Sequence, residues 1–119
     1  MTHHRAVLGP GQMPELARIR LNELCTDDGL GLQSAIWVAR FRKRHGKGPT
    51  FSELFSCFSQ AQIPDEEWES ELTYSFRHHL AVHWRRQGWL RWSHTTRSLA
   101  TGIQFQAASA AHRASLSRR

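Results

Sequence analysis

The stretch GWLRWSHTTRSLATGIQFQ, residues 88–106, has the pattern of a β-hairpin. Residues 89–93 and 99–105 are rich in tryptophan or β-branched residues and have the near two-residue period of strands. The polar residues 94–98, HTTRS, have the length that commonly joins two antiparallel strands. We therefore predict a hairpin over 89–105 with Arg97 near its tip.

A helix of about twenty residues is predicted directly before the hairpin, over residues 65–87. Asp65 is a suitable N-cap, the acids that follow lie where the helix dipole favours them, and Gly88 ends the helix. Its apolar residues recur every four positions, the spacing of one helix face. These are Trp68, Leu72, Phe76, Leu80 and Trp84.

Three more helices are predicted upstream of residue 65. The first spans about 14–27, and the second spans 30–45 and ends in a cation-rich turn followed by Gly46. The third is short: Thr50 and Glu53 have the spacing of a capping box, and we expect it to end near Gln60. We expect the first helix to bury Leu16, Ile19 and Leu24, and the third to bury Phe51, Leu54, Phe55 and Phe58.

Positive charge is segregated along this chain of 119 residues and net charge +6. Residues 72–119 contain no Asp or Glu but many arginines, a second basic cluster spans 40–47, and acids collect in 65–71. Segregated positive charge attracts polyanions through counterion release, which favours a nucleic-acid partner. A solvated surface is the alternative that charge alone leaves open.

The order of elements resembles the winged helix-turn-helix family of DNA-binding proteins. The resemblance covers residues 14–106 and is carried by GPTFSELF (48–55), RRQGWL (85–90) and RSL (97–99). It implies a mainly α fold with a small β-hairpin (α+β), in which the long helix 65–87 enters the major groove and the hairpin 89–105 acts as the wing. Residues 1–13 form an irregular leader before this winged-helix domain, and 107–119 a basic tail.

Candidate DNA-binding residues lie on the outward face of the long helix and in the hairpin. That face contains Ser70, Tyr74, Arg77, His78, Ala81 and Arg85, with Thr73 nearer its boundary. Polar side chains there can reach base edges in the major groove. We expect Arg77 and His78 to contact bases, and Thr73 and Tyr74 to contact phosphate or thymine methyl groups. In the hairpin, His94, Thr95 and Arg97 are candidates for phosphate or minor-groove contacts.

The acid-rich start of the long helix conflicts with this interpretation, because phosphate repels carboxylates. Either the DNA contacts lie farther along, near residues 73–78, or the helix faces a protein. The alternative function is therefore a winged-helix protein-protein interaction module without direct DNA binding. Either Trp89 or Trp92 could be exposed as its anchor. Homodimerisation through a terminal helix would suit a regulator that recognises a two-fold site, and remains open.

Other chemistries receive little support from the sequence. His79 and His83 are one helical turn apart, yet no HExxH glutamate or nearby cysteine pair accompanies them, so we expect no metal site. Glycine-rich phosphate loops and nucleophile elbows are missing, and we expect neither an enzyme nor a cofactor. Cys25 and Cys57 form no CxxC motif. With no apolar run long enough for a membrane span, we expect a cytoplasmic protein. The resemblance to the winged-helix family implies that it is a transcriptional regulator.

Overall fold

The computed structural model describes residues 7–58 and 70–117. Within these ranges the fold is α+β, with five α-helices and one two-stranded antiparallel sheet. A 3₁₀ turn, Pro10–Gln12, precedes the first helix. The elements are α1 (Glu15–Cys25), α2 (Asp28–His45), α3 (Phe51–Phe55), α4 (Ser70–Arg86), β1 (Leu90–Arg91), β2 (Ala100–Thr101) and α5 (Ile103–Ser117).

Helix α1 packs along α4, but not through the face expected from the sequence. The prediction that Leu16 and Ile19 are buried is wrong, since they are 81% and 47% exposed. The buried residues of α1 are Ala17, Leu21 and Leu24. Their separations of four and three residues keep them on one stripe, and small Ala17 allows close approach of the two helices.

Helix α2 ends as predicted. Its last turn carries Arg42, Lys43, Arg44 and His45. Gly46 follows with φ of 74° and donates its N–H to the carbonyl of Arg42 at 2.8 Å. The left-handed conformation that glycine tolerates therefore closes the helix.

Helix α3 begins at the predicted capping box. The Thr50 hydroxyl accepts from the Glu53 amide at 3.1 Å, and the Glu53 carboxylate accepts from the Thr50 amide at 2.8 Å. The helix ends at Phe55 instead of near Gln60. Tighter turns follow it, in which the amide of Cys57 donates to Leu54 and that of Phe58 to Phe55.

The face of α4 that the sequence predicted to be apolar is buried from Leu72 to Trp84. The rings of Phe55 and Phe58 stack on Trp84, with centroids at 5.9 Å and 5.6 Å. This cluster forms the centre of the core. The predicted helix start at Asp65, the acids up to Glu69 and the side chain of Trp68 lie outside the described residues.

The hairpin is shorter than its sequence predicts. Leu90 pairs with Thr101 and Arg91 with Ala100, while residues 103–105 belong to α5, so their assignment to a strand is wrong. The chain turns at Gly102, whose amide donates to the Trp89 carbonyl. The amide of Gln104, in the first turn of α5, donates to the Gly88 carbonyl. The alanine-rich sequence from 107 then favours helix strongly, so the predicted basic tail is helical through Ser117.

The end of α2 is joined to the hairpin by side-chain and backbone hydrogen bonds. Arg42 donates from Nε to the Leu99 carbonyl at 2.8 Å and from Nη2 to the Arg97 carbonyl at 3.3 Å. The Gly48 amide also donates to the Arg97 carbonyl, at 3.2 Å. These bonds hold the loop of the hairpin close to the start of α3.

Candidate functional site

A half-open groove of about 490 Å³ lies between α3, α4 and the hairpin. We call it the aromatic groove. Helix α3 contributes Phe51, Ser52 and Phe55; α4 contributes Thr73, Tyr74, Arg77, His78 and Ala81; and the hairpin contributes Trp92. Segments that are far apart in the sequence thus meet on one side of the molecule.

Ring contacts hold the walls of the aromatic groove in place. Phe51 meets Trp92 edge to face, with centroids 5.1 Å apart and an interplanar angle of 86°. The Arg77 guanidinium lies over the Phe55 ring at 5.5 Å, and the Arg85 guanidinium over Trp92 at 4.6 Å. Edge-to-face and cation–π contacts of this kind have preferred geometries, which limits how far these side chains can move.

Four of the predicted site residues on α4 line the aromatic groove together: Thr73, Tyr74, Arg77 and His78. Arg85 is exposed and reaches the groove only through its contact with Trp92. Ala81, which was expected to face outward, is buried at the groove floor. Residues from the outward face of α4 therefore line a groove that is shared with α3 and the hairpin.

Arg97 does not occupy the free tip of the hairpin. Its Nη1 donates to Glu53 at 2.9 Å and to the Gly48 carbonyl at 3.3 Å, and its φ is 58°. The exposed part of the loop is instead formed by His94, Thr95 and Thr96. Arg97 thus ties the loop to the first turn of α3.

The loop of the hairpin is also closed by its own serines. The Ser98 hydroxyl donates to the Ser93 carbonyl and accepts from the Ser93 amide, both at 2.9 Å. The Ser93 hydroxyl accepts from the Thr95 amide at 3.2 Å. Two predicted site residues, His94 and Thr95, are therefore presented to solvent on a short, braced loop.

Glu53 is the carboxylate at the centre of this junction. The Thr50 amide, the Thr50 hydroxyl and Arg97 together outweigh partial desolvation and lower the pKa of Glu53 below its usual range. The hydrogen bond from the Thr50 backbone is the largest of these effects. The negative charge of Glu53 is thus stabilised by a helix cap and by the residue that holds the hairpin loop.

The histidines of α4 have different surroundings. Nε2 of His79 lies 2.6 Å from the Leu8 carbonyl and Nε2 of His83 lies 2.8 Å from the Cys25 carbonyl. Because a carbonyl only accepts, Nε2 carries the proton in both rings. His78 faces the aromatic groove, and its pKa is lowered by desolvation and by the neighbouring His79. Across residues 7–58 and 70–117 no cluster of three potential ligands is placed to hold a metal.

The two cysteines, Cys25 and Cys57, are free, half-buried thiols. Burial raises the pKa of Cys25 and raises that of Cys57 to about 11. Cys57 packs against the hydrophobic core, where it behaves as a small apolar residue. A high pKa keeps the nucleophilic thiolate scarce at neutral pH.

Exposed cations run from the last two turns of α2 to Lys47, and we call this run the basic rim. Lys47 is exposed and precedes Gly48, whose amide is bonded to Arg97. Arg40, Lys43 and Arg44 are exposed along the last two turns of α2. Hydrogen bonds from Arg42 hold the hairpin loop against the end of α2.

Comparisons with protein families, with curated proteins and with solved structures found no match to this chain. None of the helices in the described part of the chain is long and apolar enough to cross a bilayer.

Sequence reasoning missed the contribution of Phe51 and Ser52 to the site. Phe51, expected to be buried, is 39% exposed because it closes the groove against Trp92. Trp89 and Trp92 are both half-buried.

Proposed function

We propose that this chain is a winged helix-turn-helix protein that binds duplex DNA sequence-specifically as a transcriptional regulator. In the proposed complex α4 lies in the major groove and the hairpin β1–β2 is the wing. The observation that carries the proposal is the meeting of three elements on one side: the start of α3, the outward side of α4 and the hairpin loop. DNA docking by this fold class needs these elements together.

Side chains of α4 supply the proposed contacts to bases. Arg77 and His78 are directed to base edges, since arginine pairs well with guanine in the major groove. Thr73 and Tyr74, nearer the start of the described helix, contact phosphate or thymine methyl groups. This arrangement uses residues 73–78 of α4 for the closest DNA contacts.

Phosphate contacts come from the basic rim and the hairpin loop. Lys47 is exposed next to Gly48, whose amide is bonded to the hairpin loop, and its positive charge supplies sequence-independent affinity. The exposed residues His94 and Thr95 supply polar contacts to phosphate. Arg97 has a positioning role in this proposal because it binds Glu53 and the Gly48 carbonyl. Arg85 supports Trp92, the hairpin residue that faces α4.

A salt series tests the proposal. Affinity for a duplex selected from a random pool and for an unselected duplex of equal length is measured between about 50 and 200 mM salt. We expect the logarithm of the affinity to fall linearly with the logarithm of the salt concentration, with tighter binding to the selected duplex. If neither duplex binds at the lowest salt concentration, DNA binding is excluded and the protein-interaction alternative is favoured.

Single variants separate the proposed roles. Arg77→Ala is expected to reduce the discrimination between duplexes by about 1–3 kcal/mol. Lys47→Ala is expected to weaken binding to both duplexes alike and to reduce the salt slope by about one. Arg97→Ala is also expected to weaken binding to both duplexes, because the hairpin loop loses its hydrogen bonds to Glu53 and Gly48. Arg18→Ala, which removes an exposed charge from α1, is the matched control and should change neither property.

A further inference from the structure

The aromatic groove has the size and shape of a small-ligand site. Its volume of about 490 Å³ lies within the range of about 300–1,000 Å³ that is typical of ligand pockets. Its lining includes the rings of Phe51, Phe55, Tyr74 and Trp92, together with the small, buried residue Ala81. A flat ring system therefore matches the walls better than a branched or hydrated molecule does.

Among the described residues of the groove, the charged side chains are all basic. Arg77 lines it, His78 lies at its edge, and Arg85 stacks on the Trp92 wall. None of the described lining residues is acidic. Glu53 on α3 is bound to Thr50 and Arg97, and Glu71 on α4 is exposed outside the lining. The apolar walls and this single sign of charge fit a ligand with one negative group on an aromatic body.

The polar groups of the groove are placed to orient such a group. The Arg77 guanidinium has five N–H donors in a planar fork, which suits the two oxygens of a carboxylate. The Ser52 and Thr73 hydroxyls also line the groove and supply further donors. A more highly charged group, such as a phosphate monoester, would bring a second charge into surroundings that are largely apolar.

We propose that the aromatic groove is a binding site for a small aromatic carboxylate. The ring lies among Phe51, Phe55 and Trp92, and the carboxylate is bound by Arg77. This proposal does not rest on the proposed DNA binding, although both use Arg77, because the lining residues named here belong to the protein itself. Its test is therefore made without DNA, so that either proposal can fail without the other.

Calorimetric titration with naphthalene-2-carboxylate and with the neutral isostere naphthalene-2-carboxamide tests the site. We expect the carboxylate to bind at least about tenfold more tightly than the amide, since an ionised acceptor strengthens the hydrogen bonds from Arg77. Arg77→Met, which keeps an apolar side chain of similar length, should weaken the carboxylate much more than the amide and so remove this preference. Trp92→Leu should weaken both probes, and Arg18→Met should weaken neither.

Two further measurements distinguish a loss of ligand binding from a folding defect. Circular dichroism checks that each variant retains helix, and chemical-shift mapping of the unmodified protein locates the carboxylate directly. We expect the largest shifts at the Trp92 indole, Phe51 and Tyr74. The proposal is overturned if neither probe binds at millimolar concentration, if carboxylate and amide bind equally, or if the shifts cluster away from the aromatic groove.

Discussion

Glu53 shows how one side chain can join a local structure to a distant one. Its carboxylate caps α3 through Thr50 and binds Arg97, which is 44 positions away in the sequence. The first contact follows from the capping box, and the second fixes where the hairpin loop lies. The backbone of Arg97 adopts a left-handed conformation, which is infrequent for residues other than glycine.

The lowered pKa of Glu53 predicts a pH-dependent contribution to stability. Because the folded-state pKa lies below the ordinary value of about 4.3, the contribution is present at neutral pH and is lost as the pH falls through the folded-state pKa. Glu53→Gln keeps the acceptor for Thr50 but removes the charge. We expect the variant to be less stable than the unmodified protein near neutral pH, with the difference shrinking near about pH 3.

Urea unfolding at the two pH values measures this difference. Glu23→Gln, which removes an exposed carboxylate bound to Arg20 within α1, sets the background for losing one negative charge. Equal pH profiles for the two variants would contradict the role assigned to Glu53.

At the scale of elements, the close approach of α2 and the hairpin depends on Gly48. A Cβ at this position would overlap the Leu99 carbonyl oxygen and lie 2.7 Å from that of Arg97. Both contacts are with backbone atoms, which cannot rotate away as a flexible side chain can. The junction between α2, α3 and the hairpin therefore requires a residue without a side chain.

Gly48→Ala is accordingly expected to lower the free energy of unfolding by about 2–3 kcal/mol, in the upper range of single substitutions. Gly11→Ala is the matched control, because a Cβ there would meet nothing within 4 Å, and its effect should stay within about 0.5 kcal/mol. Denaturant unfolding of both variants checks the prediction. A Gly48→Ala protein as stable as the control would show that the junction can shift at no cost.

The elements that the sequence predicts well are those with local signals. Gly46 and the Thr50–Glu53 box mark a helix end and a helix start, and the four-residue period predicts the buried face of α4 from Leu72 onward. The second strand was extended too far because residues 103–105 have strand-like composition. Hydrogen bonds at Gly102 and the alanine-rich sequence beyond it favour helix instead.

At the scale of the whole molecule, α5 adds little to the core, which it contacts through the partly buried Phe105 near its start. It contributes no buried residue, and the molecule measures 50 × 34 × 22 Å. Its radius of gyration of 15.5 Å exceeds the value of about 13.5 Å for a compact domain of this length. The functional proposals therefore concern the body formed by the elements before α5.

The two proposals together predict competition between ligand and DNA. Both place their partner against Arg77 on α4, so naphthalene-2-carboxylate at about ten times its dissociation constant should weaken the apparent DNA affinity about tenfold. Anisotropy of a labelled duplex measures this, with acetate at equal ionic strength and naphthalene-2-carboxamide as controls. Unchanged DNA affinity at saturating carboxylate would separate the groove from the DNA-binding surface.

The sequence by itself determined the helix boundaries at Gly46 and Thr50, the buried stripe of α4 and the position of a hairpin after Gly88. These features depend on residues within a few positions of one another, so their signals are local. Only the tertiary structure decided that Arg97 turns back to Glu53, that Phe51 and Trp92 enclose a groove, and that Ala81 forms its floor. Such contacts join residues more than ten positions apart and depend on how the elements pack, which no local pattern specifies.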